Sequence, residues 1–225
     1  PNELGLRSYS IPAWANRKRY PLGREDPAIK RAEALLTPNE FEERFGGRPA
    51  QSKAIIFQEF RNHLHVDHEL TMDVNEPVYL AIDPGSKVYC VLFVQYAANG
   101  EVWVIDEIYV HGLPHEQVVD LCRDITGWSL VQKHRAGTID VAAKQPHMGM
   151  PIPMEEWERT AGLTFMAKKF DVDDTITAVR HALAINPLTG RARLRIHPKC
   201  KGLICELGGG GQPLPGAGPW RRYET

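Results

Sequence analysis

The strongest constraint on the fold of this chain is a run of β-type segments in its middle. Residues 78–83 form a continuous apolar run that ends in an aspartate, a pattern typical of a strand buried on both faces. Residues 88–96 and 101–110 are rich in β-branched and aromatic side chains. The dipeptide Asn99-Gly100 lies between them and predicts a type I′ hairpin. The sequence therefore predicts a three-stranded antiparallel meander.

Helical spacing replaces the β pattern after the meander. Residues 114–125 place four apolar side chains on one helical face: Val118, Leu121, Cys122 and Ile125. Two more helices are predicted at 153–160, closed by Gly162, and at 171–185, with Asp173 and Asp174 as N-cap candidates. Short strands are predicted at 137–141 and 191–197. This order indicates an α/β fold, a mixed sheet with helices on both faces.

The two ends of the chain differ from this middle part. Residues 1–50 are interrupted by repeated prolines and contain short helical signals, and residues 1–75 are predicted to form an extended arm. Residues 76–225 are predicted to form one domain. Residues 208–219 read GGGGQPLPGAGP and predict an irregular, flexible loop. Because the chain begins with Pro1 and stops at Thr225 just after this loop, we expect both ends to be cut from a longer protein.

Composition excludes several classes of protein. Hydrophobic residues make up 43% and charged residues 24% of the chain, which is typical of a soluble globular domain. The longest apolar stretch, 88–94, is far shorter than the roughly 20 residues that cross a bilayer. The four cysteines lack CxxC spacing and indicate reduced core thiols. With a net charge of −1, any contact with nucleic acid must come from a local basic surface.

Two aspartates at strand ends are the candidate catalytic residues. Asp83 ends the first predicted strand before a Pro-Gly turn, and Asp140 ends the fourth. Carboxylates that meet at one edge of a sheet provide the oxygen ligands that Mg²⁺ prefers, and a pair of such ions supports phosphodiester hydrolysis. The alternative for each residue is structural, because aspartate also stabilises turns and caps helices.

Three further groups of residues are candidates for chemistry. The acidic pair Asp106 and Glu107 is interpreted as structural rather than metal-binding. The alternating arginines of the last strand form a candidate DNA-binding face or a solvated edge: Arg191, Arg193 and Arg195. The motif His63-Leu-His65-Val-Asp67-His68 matches the HxHxDH zinc signature of the metallo-β-lactamase fold. Its flanking residues do not match the strand and helix that this signature requires.

Several segments together resemble the phage large terminases, the motor subunits that package viral DNA. The resemblance covers nearly the whole chain, and each motif by itself is loose. Five segments in family order carry it: Trp14-Ala-Asn-Arg-Lys-Arg-Tyr-Pro-Leu-Gly, Pro77-Val-Tyr-Leu-Ala-Ile-Asp-Pro-Gly, Val104-Ile-Asp-Glu-Ile-Tyr, Thr138-Ile-Asp-Val-Ala and His197-Pro-Lys-Cys-Lys-Gly-Leu-Ile-Cys-Glu-Leu.

The resemblance implies a ribonuclease H-like nuclease domain that cuts double-stranded concatemeric DNA with two Mg²⁺ or Mn²⁺ ions. Asp83 and Asp140 match the first and second carboxylates of the family. The third belongs to an Asp-His-x-x-Asp-Ala-Leu-Arg-Tyr segment that this sequence lacks. The role is not transferred to Asp173, Asp174 or Glu206. The expected partners are DNA, an N-terminal ATPase domain of the same subunit that residues 1–75 follow, the portal protein and the small terminase subunit.

The implied location is the procapsid portal in the host cytoplasm, with no membrane contact. No GxxxxGK[ST] sequence occurs, so the phosphate-binding loop of the motor is absent from this chain. Three alternatives remain open at this stage. The chain is a non-catalytic module that docks on DNA or on the portal, a zinc hydrolase using the HxHxDH motif, or another ribonuclease H-like enzyme such as a recombinase or resolvase.

Overall fold

The computed structural model of the chain describes residues 10–36, 41–42, 44–47, 55–85, 87–141, 152–215 and 217–220. The chain divides into two compact units, Pro1–Lys53 and Ala54–Thr225. This boundary between compact units lies earlier in the chain than the predicted division between residues 75 and 76. The predicted division between the arm and the nuclease domain stays a prediction. The difference has a physical reason, because Phe57, Phe60 and Leu70 are buried in the second unit.

The first unit is built from short helical turns. Two 3-10 helices, Ala13–Ala15 and Gly23–Glu25, precede helix α1, Pro27–Leu35. The helix begins with proline at its first position, and the Asp26 side chain accepts a hydrogen bond from the Ala28 amide at 3.0 Å. Both features stabilise a helix start. Trp14, Phe41 and Phe45 stack with ring centroids 5.8 and 5.6 Å apart, which gives the unit its own small apolar cluster.

The second unit contains a mixed sheet. Its strands and helices, in chain order, are α2 (Asn62–His65), β1 (Tyr79–Pro84), β2 (Tyr89–Tyr96), β3 (Val102–Val110), α3 (His115–Arg123), a 3-10 helix (Thr126–Leu130), β4 (Gly137–Ile139), α4 (Pro153–Ala161), β5 (Phe165–Met166), α5 (Val172–Leu183), β6 (Ile185–Asn186), β7 (Arg191–Ala192), β8 (Leu194–Ile196) and α6 (Lys201–Glu206). The large sheet has the order β5-β4-β1-β2-β3-β8. Strands β1, β2 and β3 are antiparallel, while β4, β5 and β8 pair in parallel. The predicted meander and mixed α/β fold are confirmed.

Helices cover both faces of this sheet. One cluster packs α3 and α4 against the face that carries Leu80 and Ile82, and it includes the fully buried Trp157. The other cluster joins Ile176 and Leu183 of α5 to Val94 of β2 on the opposite face. Each sheet face therefore has its own core, and α5 and α6 pack on the second face against β2, β3 and β8.

The hairpin between β2 and β3 differs from the predicted two-residue type I′ turn. The Gly100 amide donates to the Ala97 carbonyl at 2.9 Å, and the Ala97 amide donates to the Glu101 carbonyl at 2.9 Å. Gly100 has a positive φ of 82°, whereas Asn99, like every non-glycine residue described, does not. The Asn99 side chain instead accepts a hydrogen bond from the Glu101 amide. The loop is a three-residue turn closed by a left-handed glycine, which fits the sheet twist without strain at asparagine.

Three other expectations are corrected by the structure. The N-cap of α5 is Asp171, whose carboxylate accepts from the amides of Asp173 and Asp174, so those two residues lie inside the helix. Leu121, which was predicted to lie on the apolar face of α3, is exposed, whereas Val119 is buried. The strand predicted at 191–197 is two short strands, because β7 pairs with β6 while β8 pairs with β3.

The glycine-rich segment has no helix or strand in its described part, as predicted, but its start is anchored. The Gly209 amide donates to the Ile204 carbonyl at 2.8 Å, and the Asn62 amide side chain donates to the Gly209 carbonyl at 2.7 Å. The flexibility predicted for the segment stays a prediction. The cysteines are free, as expected. Within the described residues, no helix is long and apolar enough to cross a membrane.

Candidate active site

The pairing of β1 with β4 brings the two candidate aspartates together. The strands run parallel with Ile82 opposite Ile139, and the Asp140 amide donates to the Ile82 carbonyl at 3.0 Å. Asp83 and Asp140 are therefore the next pair in register on strands about 4.8 Å apart. Both side chains lie on the face opposite the buried Ile82 and Ile139, since side chains alternate along a strand. Both are exposed to solvent at the edge of the sheet.

Electrostatics at this edge favour a cation. The pKa of Asp83 is raised above its usual value, first by partial removal from solvent and then by the negative charges of Asp140 and Glu206. A raised pKa means that the ionised carboxylate is unfavourable in the absence of a counter-charge. A cation held between Asp83 and Asp140 reverses this effect by attracting both carboxylates.

Glu206 is a third acidic residue near this edge, and its position depends on Tyr109. Asp83 of β1 lies opposite Cys90 of β2, and Cys90 lies opposite Tyr109 of β3. The Tyr109 hydroxyl donates to the Glu206 carboxylate at 2.8 Å. Gly202 lies one turn earlier on α6, and a Cβ there would collide with the Tyr109 ring. The glycine thus lets α6 approach the sheet closely enough to place Glu206 over the edge.

The acidic pair on β3 has structural partners. The Glu107 carboxylate accepts hydrogen bonds from the amides of Gly202 and Leu203 at 2.8 and 2.7 Å. It therefore caps the start of α6 from a neighbouring strand, a role that suits a carboxylate because a helix N-terminus is positive. Lys199 pairs with Asp106 at 3.3 Å. These contacts agree with the structural interpretation of the pair.

The donor set at Asp83 and Asp140 fits a hard divalent cation. Both donors are carboxylate oxygens and both are open to solvent, so a bound ion would keep several waters, as Mg²⁺ prefers. Among the residues that the structure describes, no group of three histidine, cysteine or acidic side chains is arranged to hold a metal ion. The two aspartates together with water thus form the ligand set that we assign, and Glu206 contributes charge from farther away.

The HxHxDH motif has a structural explanation. His65 is completely buried and stacks on Phe60 at 5.2 Å. Its Nδ1 accepts from the Arg61 amide at 2.9 Å, and its Nε2 donates to the Leu183 carbonyl at 2.8 Å. Both ring nitrogens are used, so neither has a lone pair for zinc. The burial of His65 could not be predicted from the sequence, because the residues next to a histidine in a short helix do not indicate whether it is buried or exposed.

The three arginines of the predicted basic face do not share one environment. Arg195 is largely buried and pairs with Asp67 and Glu101. The exposed Arg191 lies 4.0 Å from the buried Glu101, and the Arg193 side chain donates to the Gly100 carbonyl at 3.2 Å. A charge that is already paired within the molecule attracts phosphate weakly. DNA binding by these arginines stays a prediction.

A polar network inside the core supports β2 beneath the site. The buried Tyr89 lies opposite Pro84, next to Asp83. The Trp157 indole donates to its hydroxyl at 2.5 Å, and the hydroxyl lies 2.8 Å from His115 Nδ1. With Tyr89 accepting from Trp157, its own proton can point at Nδ1, an arrangement that requires a neutral His115. Burial accordingly lowers the pKa of His115.

This network predicts a loss of stability in mild acid. A histidine whose folded pKa is depressed stabilises the fold fully above its ordinary pKa and loses that contribution as pH falls through the folded value. We therefore expect the urea midpoint to fall between about pH 7.5 and about pH 5.5. His115→Gln, which does not titrate, should show a shallower fall. Identical pH dependence of the urea midpoint in wild type and His115→Gln would contradict this role. The pKa of His197 is also lowered, but its contribution is the same in both proteins and cancels in the comparison.

Comparison with solved structures identifies the architecture. The nuclease domain of the P22 large terminase matches with a TM-score of 0.53 at 13% identity, over 68% of this chain and 77% of that one. The chain has the fold of a large terminase nuclease domain. The large terminase of a thermophilic bacteriophage matches with a TM-score of 0.51 at 16% identity, over 81% of this chain. No protein-family model and no curated protein matches the sequence.

The terminase fold is ribonuclease H-like and agrees with the sheet order and the helices on both faces, so the predicted fold class is confirmed. The chain spans 44% of the thermophilic phage terminase, less than half of its length. The same terminase in complex with ATP-γ-S matches with a TM-score of 0.52 at 17% identity. At these identities the likeness establishes the fold alone.

Proposed function

We propose that the chain is a metal-dependent endonuclease that cuts double-stranded concatemeric viral DNA during genome packaging. The observation that carries the proposal is the parallel register of β1 and β4, which sets Asp83 and Asp140 side by side on one sheet face. The terminase fold supports the proposal, because a nuclease domain with this fold has been solved from P22.

The roles of the residues follow from their positions. Asp83 and Asp140 would hold the cation, Mg²⁺ or Mn²⁺, which would supply Lewis acidity towards the phosphate and lower the pKa of a bound water. The β1–β4 ladder fixes the distance between the two carboxylates. Tyr109 positions Glu206, whose charge strengthens the attraction of the edge for a cation. A mechanism with two ions requires a further acidic ligand, which we leave unassigned.

The wider assembly is part of the same proposal. We infer that the domain acts on double-stranded DNA beside an ATPase domain of the same subunit, with the portal protein and the small terminase subunit as partners. The thermophilic phage protein that shares the fold is a large terminase solved in complex with ATP-γ-S. This supports an ATPase neighbour for the present domain. The inferred place of action is the portal of the procapsid in the host cytoplasm.

The proposal is tested by incubating supercoiled plasmid with the purified protein and Mg²⁺, Mn²⁺, Zn²⁺ or EDTA. We expect nicked and linear products with Mn²⁺ and fewer with Mg²⁺, since Mg²⁺ demands a nearly ideal octahedral site. EDTA should abolish cleavage, and Zn²⁺ should not support it.

Two rival functions make different predictions in the same assay. A non-catalytic module that docks on DNA or on the portal would bind the plasmid and leave it intact with every metal. A ribonuclease H-like resolvase would cut a four-way DNA junction in preference to plasmid. Either result would replace the proposed activity while leaving the fold assignment unchanged.

A further inference from the structure

A groove lies on the open part of the sheet face that bears the two aspartates, over β1, β4 and the end of β2. Its volume is about 330 Å³, close to the lower limit for ligand-binding cavities. Residues of the strands form its floor, and Phe170, on the segment between β5 and α5, forms one wall. Its lining includes Tyr79, Ala81, Tyr96, Arg135, Thr138 and Phe170. We call this cavity the sheet-face groove.

Three aromatic side chains line the sheet-face groove: Tyr79, Tyr96 and Phe170. Tyr79 and Tyr96 meet edge to face with centroids 5.5 Å apart. Tyr96 is 57% exposed and Phe170 is 58% exposed, so both rings are accessible from solvent. Neither exposed ring adds to the core of the unit. Their open faces are suited to a flat, π-rich ligand.

Positively charged side chains lie at the same groove. Arg135 lines it, and the Lys168 ammonium lies 5.3 Å from the centre of the Phe170 ring. Lys133 and Lys169 are exposed close by in sequence. Within the described part of the chain, none of these four residues forms an ion pair with a carboxylate. This contrasts with Arg195, whose charge is neutralised within the molecule.

The groove leads directly to the candidate active site. Ala81 and Thr138 line it, and Asp83 and Asp140 are the next residues on the same faces of β1 and β4. Two residues along a strand cover about 7 Å. A chain-like ligand in the groove therefore passes from the cations and aromatic rings to the two carboxylates.

We propose that the sheet-face groove binds an unpaired stretch of DNA next to the cleavage site. Open aromatic faces combined with a positive track are the features that bind single strands, because bases stack on the rings and phosphates contact the cations. A duplex hides its base faces and cannot use Phe170 in this way. The inference rests on the proposed nuclease function for its biological setting, but binding itself requires no metal.

The test is fluorescence anisotropy of a labelled oligomer of about twelve thymidines, within the span of single-strand binding sites, in EDTA so that cleavage cannot interfere. Phe170→Ala should weaken binding roughly five- to 150-fold, the range for loss of one stacked base. The same variant should bind a blunt duplex of equal length as wild type does. Lys168→Ala/Lys169→Ala should reduce the slope of log K against log salt by roughly 0.7 for each phosphate that is no longer neutralised.

The matched control is Lys18→Ala/Arg19→Ala, which removes the same charge from exposed positions in the first compact unit. It should leave the salt slope unchanged. Phe170 is largely exposed, so its variant should unfold at the wild-type temperature. Wild-type affinity of Phe170→Ala for the oligomer, or equal effects of the two double variants, would overturn the proposal. If plasmid cleavage fails while this binding is observed, the nuclease proposal falls and the groove remains.

Discussion

Asp83→Asn and Asp140→Asn are each expected to abolish metal-dependent cleavage of plasmid DNA, with a fall of roughly a thousandfold or more. Each change removes a charged ligand from the cation, and a catalytic metal contributes several kcal/mol to transition-state stabilisation. Asparagine has nearly the shape of aspartate, so the fold should persist. Cleavage rates with Mn²⁺ and urea unfolding curves measure the two effects separately.

The unfolding curves give this prediction a second readout. The raised pKa of Asp83 shows that its charge is unfavourable in the folded protein. Asp83→Asn should therefore leave the urea midpoint at neutral pH unchanged or higher. Asp174→Asn is the matched control, because this exposed acid lies inside α5 and outside the site. Cleavage by Asp83→Asn at the wild-type rate, or a similar loss in Asp174→Asn, would place the active site elsewhere.

Gly137→Ala is the substitution expected to damage the site and the fold together. Gly137 begins β4 opposite Leu80 and has a φ of 147°. A Cβ there would lie within 2.8 Å of the Leu80 backbone N and C atoms and closer still to the carbonyl oxygen. Backbone cannot move aside as a flexible side chain does, so β4 must separate from β1. We expect a loss of about 3 kcal/mol or more in the free energy of unfolding, at the upper end of overpacking effects.

The site should fail before the protein unfolds completely. If β4 shifts, Asp140 moves away from Asp83, so cleavage should be lost even under conditions where Gly137→Ala remains folded. Gly162→Ala provides the control. Gly162 also has a positive φ, 67°, but a Cβ there would meet nothing within 4 Å. It should cost only about 1 kcal/mol. Equal urea unfolding midpoints for Gly137→Ala and Gly162→Ala would contradict this steric explanation.

The sequence predicted those parts of the fold that depend on local pattern. Apolar runs and β-branched residues located β1, β2 and β3, and helical spacing located α3, α4 and α5 within a few residues. The strand ends at Asp83 and Asp140 followed from the same patterns, and their matching strand-end positions predicted that the two residues lie on neighbouring strands. The β1–β4 pairing, which joins residues far apart in the chain, confirms that adjacency.

Long-range packing explains what the sequence did not predict. Strand β5 is two residues long and shows no period, so only its pairing with β4 defines it. The break at Arg193 arises because β7 and β8 choose different partners. Glu107 capping a helix from a strand, and Tyr109 holding Glu206, both require α6 to pack on the sheet at Gly202. A glycine followed four residues later by a glutamate was the available signal, and it is too common to interpret alone.

The central claim is that Asp83 and Asp140 jointly bind a divalent cation, and calorimetric titration with Mn²⁺ in the absence of DNA tests it most directly. Wild type should bind Mn²⁺ with measurable heat, because the parallel register of β1 and β4 presents both carboxylates to one ion. Asp83→Asn and Asp140→Asn should each weaken Mn²⁺ binding by at least about tenfold. Because both residues contact the same ion, the binding free energies lost in the two single variants should not add in the double variant. Asp174→Asn should bind as wild type does. Equal Mn²⁺ affinity in wild type and the double variant would contradict the account.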